Sequence, residues 1–138
     1  MAIEFVVNAL IPARPIEVYD AWLNSAAHTT MTGSPASISP AVGTAFTAWD
    51  GYIQGRNLEL EPGRRIVESW RTTEFKEDEP DSHVEITLEA IGEQTKLMLH
   101  HSNLPAHGRK YPKGWLDAYF MPMEKYFSGH PFPSSITD

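Results

Sequence analysis

Two titratable side chains fall on the inner face of expected strands. Along Arg65 to Arg71, Ile66, Glu68 and Trp70 share one side, while Val67, Ser69 and Arg71 share the other. Ile66 and Trp70 mark the apolar side, so Glu68 goes inward with them. By the same alternation Leu97 and Leu99 carry His101 inward in a later strand. A buried carboxylate must be paired, reach water or hold a proton. Two readings stay open here. Glu68 and His101 orient the polar end of a ligand or act as an acid/base pair, or they lie near strand ends or pair structurally. A slip of one residue in either strand would invert both assignments.

Other chemistries find little support. His100 and His101 are adjacent on a strand and point to opposite faces, and with His107 they have no carboxylate at a supporting spacing such as HExxH, so no metal site is expected. The chain has no cysteine, which removes disulfides, thiolate catalysis and cysteine-bearing zinc sites. No Gly-x-Ser-x-Gly elbow and no glycine-rich phosphate loop occurs. No cofactor is expected.

The elements that must position these residues can be read in order. Ile3 to Ile11 reads as a strand stopped by Pro12. Pro15 suits the first position of a helix, whose apolar face is Ile16, Tyr19, Trp22 and Leu23. Asn24-Ser25 ends it, and Ser25 is expected to cap a second short helix running through His28. Residues 29 to 43 read as irregular, with a short strand near Ala36 to Ser39. Thr44 to Trp49 and Tyr52 to Leu60 flank Asp50-Gly51, a hairpin signal. Arg65 to Thr72, His83 to Ile91 and Thr95 to Ser102 are further strands, and connections this short imply an antiparallel sheet. A helix from about Pro112 to Phe127 presents Trp115, Leu116, Tyr119, Phe120, Met123 and Phe127 on one face. Pro122 within it should kink it or tighten the packing around it. The expected arrangement is one domain over residues 1–128 with a flexible tail at 129–138.

A curved sheet with one buried face needs a cover, and the last helix is the element long enough to supply it. The expected fold class is therefore α+β with a helix-grip architecture, a curved antiparallel sheet wrapped around a long C-terminal helix. A helix held in a concave sheet leaves space between the two. Trp70, Trp115 and Tyr119 are expected to border that cavity, together with Met123, Glu68 and His101 as its further candidate ligand-cavity residues.

Trp49-Asp50-Gly51-Tyr52-Ile53-Gln54-Gly55, Leu58-Glu59-Leu60-Glu61-Pro62 and Ile66-Val67-Glu68-Ser69-Trp70-Arg71 follow one another in a familiar order. With Val18 to Trp22 in the first helix and Gly114-Trp115, Tyr119-Phe120 and Lys125 to Phe127 in the last, this order resembles the activators of the 90-kDa heat-shock protein ATPase. The resemblance is to the C-terminal domain of that co-chaperone and its bacterial homologues, and it covers roughly residues 3 to 128. It implies the START-like (SRPBCC, birch-pollen-allergen-like) fold, whose members bind lipids, hormones or aromatic polyketides and in some cases cyclise them. Fold alone does not fix which of these applies. The eukaryotic co-chaperone also has a separate N-terminal domain with no counterpart here, so its ATPase-activating role is not expected to carry over intact.

Charge narrows the partners. The formal net charge is -7, and Arg109-Lys110 with Lys113, or Arg64-Arg65, make only thin basic clusters. Nucleic acid, whose binding rests on clustered Lys and Arg, is not an expected partner. No apolar run approaches the length of a membrane span, roughly 20 residues, and no signal peptide is read at the N-terminus. The cytoplasm is the expected compartment. The function expected first is a non-enzymatic module binding a small hydrophobic or aromatic molecule. A co-chaperone-like contact with a 90-kDa heat-shock protein in the stress response, and a cyclase- or hydrolase-like enzyme using the same cavity, are the alternatives.

Overall fold

Ile3–Ile11 forms β1, with alternating exposure along its length. It opens a computed structural model that describes residues 2–129. Pro12 and Pro15 break the strand, and α1 (Pro15–Trp22) begins with Pro15 at its first position, as expected. The Glu17 carboxylate accepts the Arg14 backbone N–H at 2.9 Å, which satisfies one of the donors that a helix start leaves free. Val18, Tyr19, Ala21, Trp22 and Leu23 form the buried face. Ile16 does not join it and is 45% exposed, because the helix face begins one turn later than apolar spacing suggested.

α2 (Ser25–Thr32) is capped by Asn24, whose Oδ1 accepts the Ala27 N–H at 2.8 Å, not by Ser25. Asn24 sits in extended backbone, the conformation a capping residue needs, whereas Ser25 is already inside the helix. The Ser25 hydroxyl turns instead to the Ile38 backbone, bonding both its N–H and its carbonyl at 2.9 Å. The expected strand at Ala36 to Ser39 shrinks to an isolated bridge between Ser37 and Thr47.

The sheet contains β2 (Ala45–Ala48), β3 (Ile53–Glu61), β4 (Arg65–Thr72), β5 (Ser82–Ile91) and β6 (Gln94–Leu104). Its order is β1-β6-β5-β4-β3-β2, and every neighbouring pair is antiparallel. β1 closes against β6, the last strand, so the first and last strands of the chain meet at one side of the sheet. A bulge at Leu58 shifts the β3–β4 register and bends that hairpin, turning Asn57 inward and leaving Leu58 and Glu59 out.

The concave face is covered by one long helical run. A 3₁₀ turn (Ala106–Lys110) leads into α3 (Tyr111–Trp115), a π-helical turn (Leu116–Phe120) and α4 (Met121–Gly129). In the π turn the Met121 N–H reaches back to the Leu116 carbonyl. The wider turn immediately precedes Pro122, whose ring would clash with the carbonyl of Ala118 in an ordinary α-helix. Trp115, Tyr119, Phe120 and Met123 are buried by this run, while Leu116 is 42% exposed, rotated outward by the extra residue in the turn. The helix continues to Gly129, and the remainder of the flexible tail expected over 129–138 lies outside the described residues.

Gly55 leaves no room for a side chain in the sheet. A Cβ on it would lie 1.9 Å from the Ser69 carbonyl and 2.7 Å from the Phe46 ring, so the Phe46 ring occupies the space a side chain would fill. Gly55→Ala should therefore destabilise the fold by about 2–4 kcal/mol in urea unfolding. A loss smaller than about 0.5 kcal/mol would mean that the close approach of Phe46 is not a fixed feature of the sheet.

Candidate functional site: an aromatic cavity between sheet and helix

The site is built from the turn before β3, the inner face of β4 and the C-terminal helix. Together they line a cavity of about 390 Å³ that is open to solvent on one side. Trp49, Tyr52 and Ile53 contribute from the turn and the start of β3, and Trp70 from β4. Lys110, Tyr111, Gly114, Trp115, Ala118 and Tyr119 contribute from the helical run. The rings are packed on one another, with Trp70 to Trp115 at 5.6 Å, Trp70 to Tyr111 at 5.1 Å and Trp115 to Tyr119 at 5.0 Å between centroids. These separations fall within the range for favourable aromatic pairs. Gly114 leaves the helical wall open, since a Cβ there would meet nothing within 4 Å.

Of the six residues singled out from the sequence, Trp70, Trp115 and Tyr119 lie on the cavity wall. Glu68, His101 and Met123 are buried and stand behind it, not among its lining residues. From the sequence, Trp49 and Tyr52 are placed only at the ends of the strands that flank Asp50-Gly51, not at the site. Ile53, Lys110, Tyr111, Gly114 and Ala118 were not foreseen there either. The signal available for Trp49 was its place directly before the Asp50-Gly51 turn.

Glu68 and His101 do not pair. Val84 stands opposite both in the sheet, so the two are separated by two strand spacings, roughly 10 Å. His101 is held at both ring nitrogens. The Ser82 hydroxyl donates to the Trp70 carbonyl at 2.7 Å and so accepts from His101 Nε2–H at 2.9 Å. Nδ1 is left to accept the Trp115 indole N–H at 3.0 Å. Burial, followed by the neighbouring His100, pushes the His101 imidazole down to about 3, so it is neutral in this role. Glu68 accepts the Trp22 indole N–H at 3.2 Å. Burial pushes its carboxyl up to about 8, and the Trp22 bond offsets only part of that effect.

His28 forms a third buried relay. Its Nδ1 meets the Trp22 carbonyl at 2.8 Å and must donate to it, so Nε2 accepts the Tyr119 hydroxyl proton, also at 2.8 Å. Burial lowers the His28 pKa, against the opposing pull of that carbonyl, and raises that of Tyr119, which Glu68 raises further. At the mouth Glu74 accepts from both Tyr52 Oη–H and Lys110, tying two wall residues to one carboxylate. The Tyr111 hydroxyl is engaged with Thr72 Oγ1 at 2.8 Å. Among the described residues no group of three or more His, Cys, Asp or Glu is placed to hold a metal ion.

The Glu68 proton has a consequence for stability. The native carboxyl titrates near 8 and the free one near 4.5, so the native state keeps a proton that the unfolded chain releases across that window. Glu68's contribution is therefore present below the lower value and lost as pH rises through the upper one. Glu68→Gln, a neutral stand-in for the protonated acid, should gain stability over the parent as pH rises from about 5 to about 8, by at most ~1.4 kcal/mol per pH unit. Urea unfolding across that range checks it, and a difference that stays constant with pH would refute the protonated, buried state.

The geometry can be set beside known proteins. The family described as "Activator of Hsp90 ATPase homolog 1-like protein" matches residues 12–128. A protein of Dictyostelium discoideum named activator of 90 kDa heat shock protein ATPase homolog is 29% identical over 103 residues, which cover 73% of this chain and 27% of that protein. The chain thus spans about a quarter of that relative's length. The crystal structure of an HSP90 activator from Plasmodium falciparum superposes with a TM-score of 0.80 at 25% identity, covering 94% of this chain and 98% of that one. Ara h 8.0201 superposes with a TM-score of 0.73 at 14% identity, covering 94% and 100%, a likeness of fold alone that places the chain among helix-grip structures. With nearly the whole described chain matched and the fold shared throughout, this protein belongs to the Activator of Hsp90 ATPase homolog 1-like family.

Proposed function

We propose that this protein binds a small, flat, apolar or aromatic molecule in the cavity between its sheet and C-terminal helix, in the cytoplasm and without transforming it. The observation that carries this reading is the wall itself. Trp49, Tyr52, Trp70, Tyr111, Trp115 and Tyr119 surround a volume of about 390 Å³, which is the size and lining typical of small-molecule sites, roughly 300–1,000 Å³. The engagement of both His101 ring nitrogens, and the place of His101 and Glu68 behind the lining residues, support binding over acid/base chemistry.

A second reading has its own support. Family membership and the Dictyostelium relative's name favour a contact with a 90-kDa heat-shock protein, made by the outer surface and independent of the cavity. The two readings separate cleanly in experiment. Stimulation of the chaperone's ATPase that survives filling of the cavity belongs to the surface.

Gly114 provides the filling. N-phenyl-1-naphthylamine should brighten on binding the parent protein, and Gly114→Trp should weaken that binding at least about tenfold while far-UV circular dichroism is unchanged. Gly114→Ala should bind the probe normally and gain about 0.5–1 kcal/mol of stability from the helix interior. Equal probe binding by the parent and Gly114→Trp would sink the cavity reading.

A further inference from the structure

Glu68 on β4 and Asn57 on β3 stand directly opposite one another, and both are buried on the inner face of the sheet. Opposed residues of an antiparallel pair bring their Cβ atoms to about 4.5–5.5 Å, which puts the polar ends of these two side chains within reach. The Asn57 amide nitrogen is fully used. It donates to the Ser39 carbonyl at 2.8 Å and the Ala41 carbonyl at 3.2 Å, with Thr44 Oγ1 at 3.4 Å. The amide oxygen, Oδ1, is buried and receives no donor. Native structures leave few buried acceptors in that state, and each calls for an explanation.

Glu68 has the complementary deficit. Its Oε2 accepts the Trp22 indole N–H at 3.2 Å. Burial keeps the carboxyl protonated at neutral pH, and a protonated carboxyl is also a donor whose hydrogen needs an acceptor of its own. A lone buried acceptor thus faces a buried proton across one strand spacing.

The groups around Glu68 are neutral. α1 presents Trp22, β5 presents Val84, and the helical run presents Tyr119, whose hydroxyl proton goes to His28 on α2. Burial lowers the His28 pKa and so keeps that ring uncharged as well. Residues 39–44, against which Asn57 packs, include no titratable side chain. Burial and the Trp22 N–H are therefore what act on the carboxyl, with no charged partner.

We propose that the Asn57 amide is a switch that reports the Glu68 proton to the segment at Ser39 to Ala41. With the proton in place, the Glu68 O–H donates to Asn57 Oδ1 while the amide N–H groups hold the two segment carbonyls. When the proton leaves to solvent, two acceptors face each other. The amide then turns over about its Cβ–Cγ bond, gives an N–H to the carboxylate and withdraws it from Ser39 and Ala41. Trp22 donates to the carboxyl in both states. The backbone bonds from Gly43 N–H to the Asn57 carbonyl, at 2.8 Å, and from Asn57 N–H to the Thr44 carbonyl, at 3.0 Å, are untouched. Ala41 also keeps the Thr44 hydroxyl at 2.6 Å, so the segment loosens at Ser39 and does not unfold. The device stands apart from the cavity, whose lining includes neither Asn57 nor Glu68.

Nuclear magnetic resonance of ¹³C,¹⁵N-labelled parent protein tests it between about pH 6 and about pH 10, a range that spans the Glu68 titration. The coupling across the hydrogen bond from Asn57 Nδ2 to the Ser39 carbonyl carbon should be present at the low end and lost at the high end. Its loss should share one midpoint with the movement of the Glu68 Cδ resonance. In Glu68→Gln, whose own amide donates to Asn57 Oδ1 at every pH, the coupling should persist throughout. A coupling that survives in the parent while Glu68 Cδ titrates would overturn the switch and leave the protonated carboxyl intact. A Glu68 Cδ resonance that does not move across the range would overturn both.

Discussion

The helices stay on the sheet because two buried acceptors of the concave face, His101 and Glu68, take donors from them. The bond from Trp115 Nε1 to His101 Nδ1 is the clearest case. His101 has no exposure, and a buried imidazole with an unmet nitrogen would be costly. Its tautomer is set from the sheet by Ser82 and the Trp70 carbonyl, which leaves one acceptor position pointing at the helix. The indole that fills it also carries a large apolar surface into contact with Trp70. Trp22 to Glu68 and Tyr119 to His28 repeat the device from other directions. Each relay joins a helix to another element by a directional bond, so the helix cannot slide along an otherwise apolar surface.

The cavity follows from that arrangement. Large rings anchored at fixed heights cannot collapse onto one another as aliphatic side chains can, and Gly114 leaves a gap opposite them. The π turn moves Ala118 and Tyr119 to the wall and accommodates Pro122 in the same step. Glu74 holds Tyr52 and Lys110 together at the mouth. Binding capacity and fold stability therefore draw on the same rings: those that support the helix also form the walls.

Much of this was legible in the sequence where a short period governs. Strand alternation brought Glu68 and His101 inward because apolar neighbours two residues away fix the face, and β1 and β4 have the bounds their residues suggested. What those side chains bond to was not legible. Trp22 and Glu68 are 46 residues apart, and His28 and Tyr119 are 91 apart, so no local pattern links them. Ile16 and Leu116 were misplaced because helical spacing names a face without showing where it begins, and because a π turn changes the spacing midway. Trp49 reads as one more core aromatic until its place on the cavity wall is known.

The central claim is that the aromatic cavity is a binding site and not merely a packing defect. Native mass spectrometry of the protein purified gently from its own cells, followed by extraction of whatever it carries, tests that most directly. The expected result is a noncovalent adduct that is released on denaturation and is identified as a small apolar or aromatic molecule. Only the bare chain mass, from a preparation that still takes up an added aromatic probe, would show that the cell supplies no such ligand, and would contradict the claim.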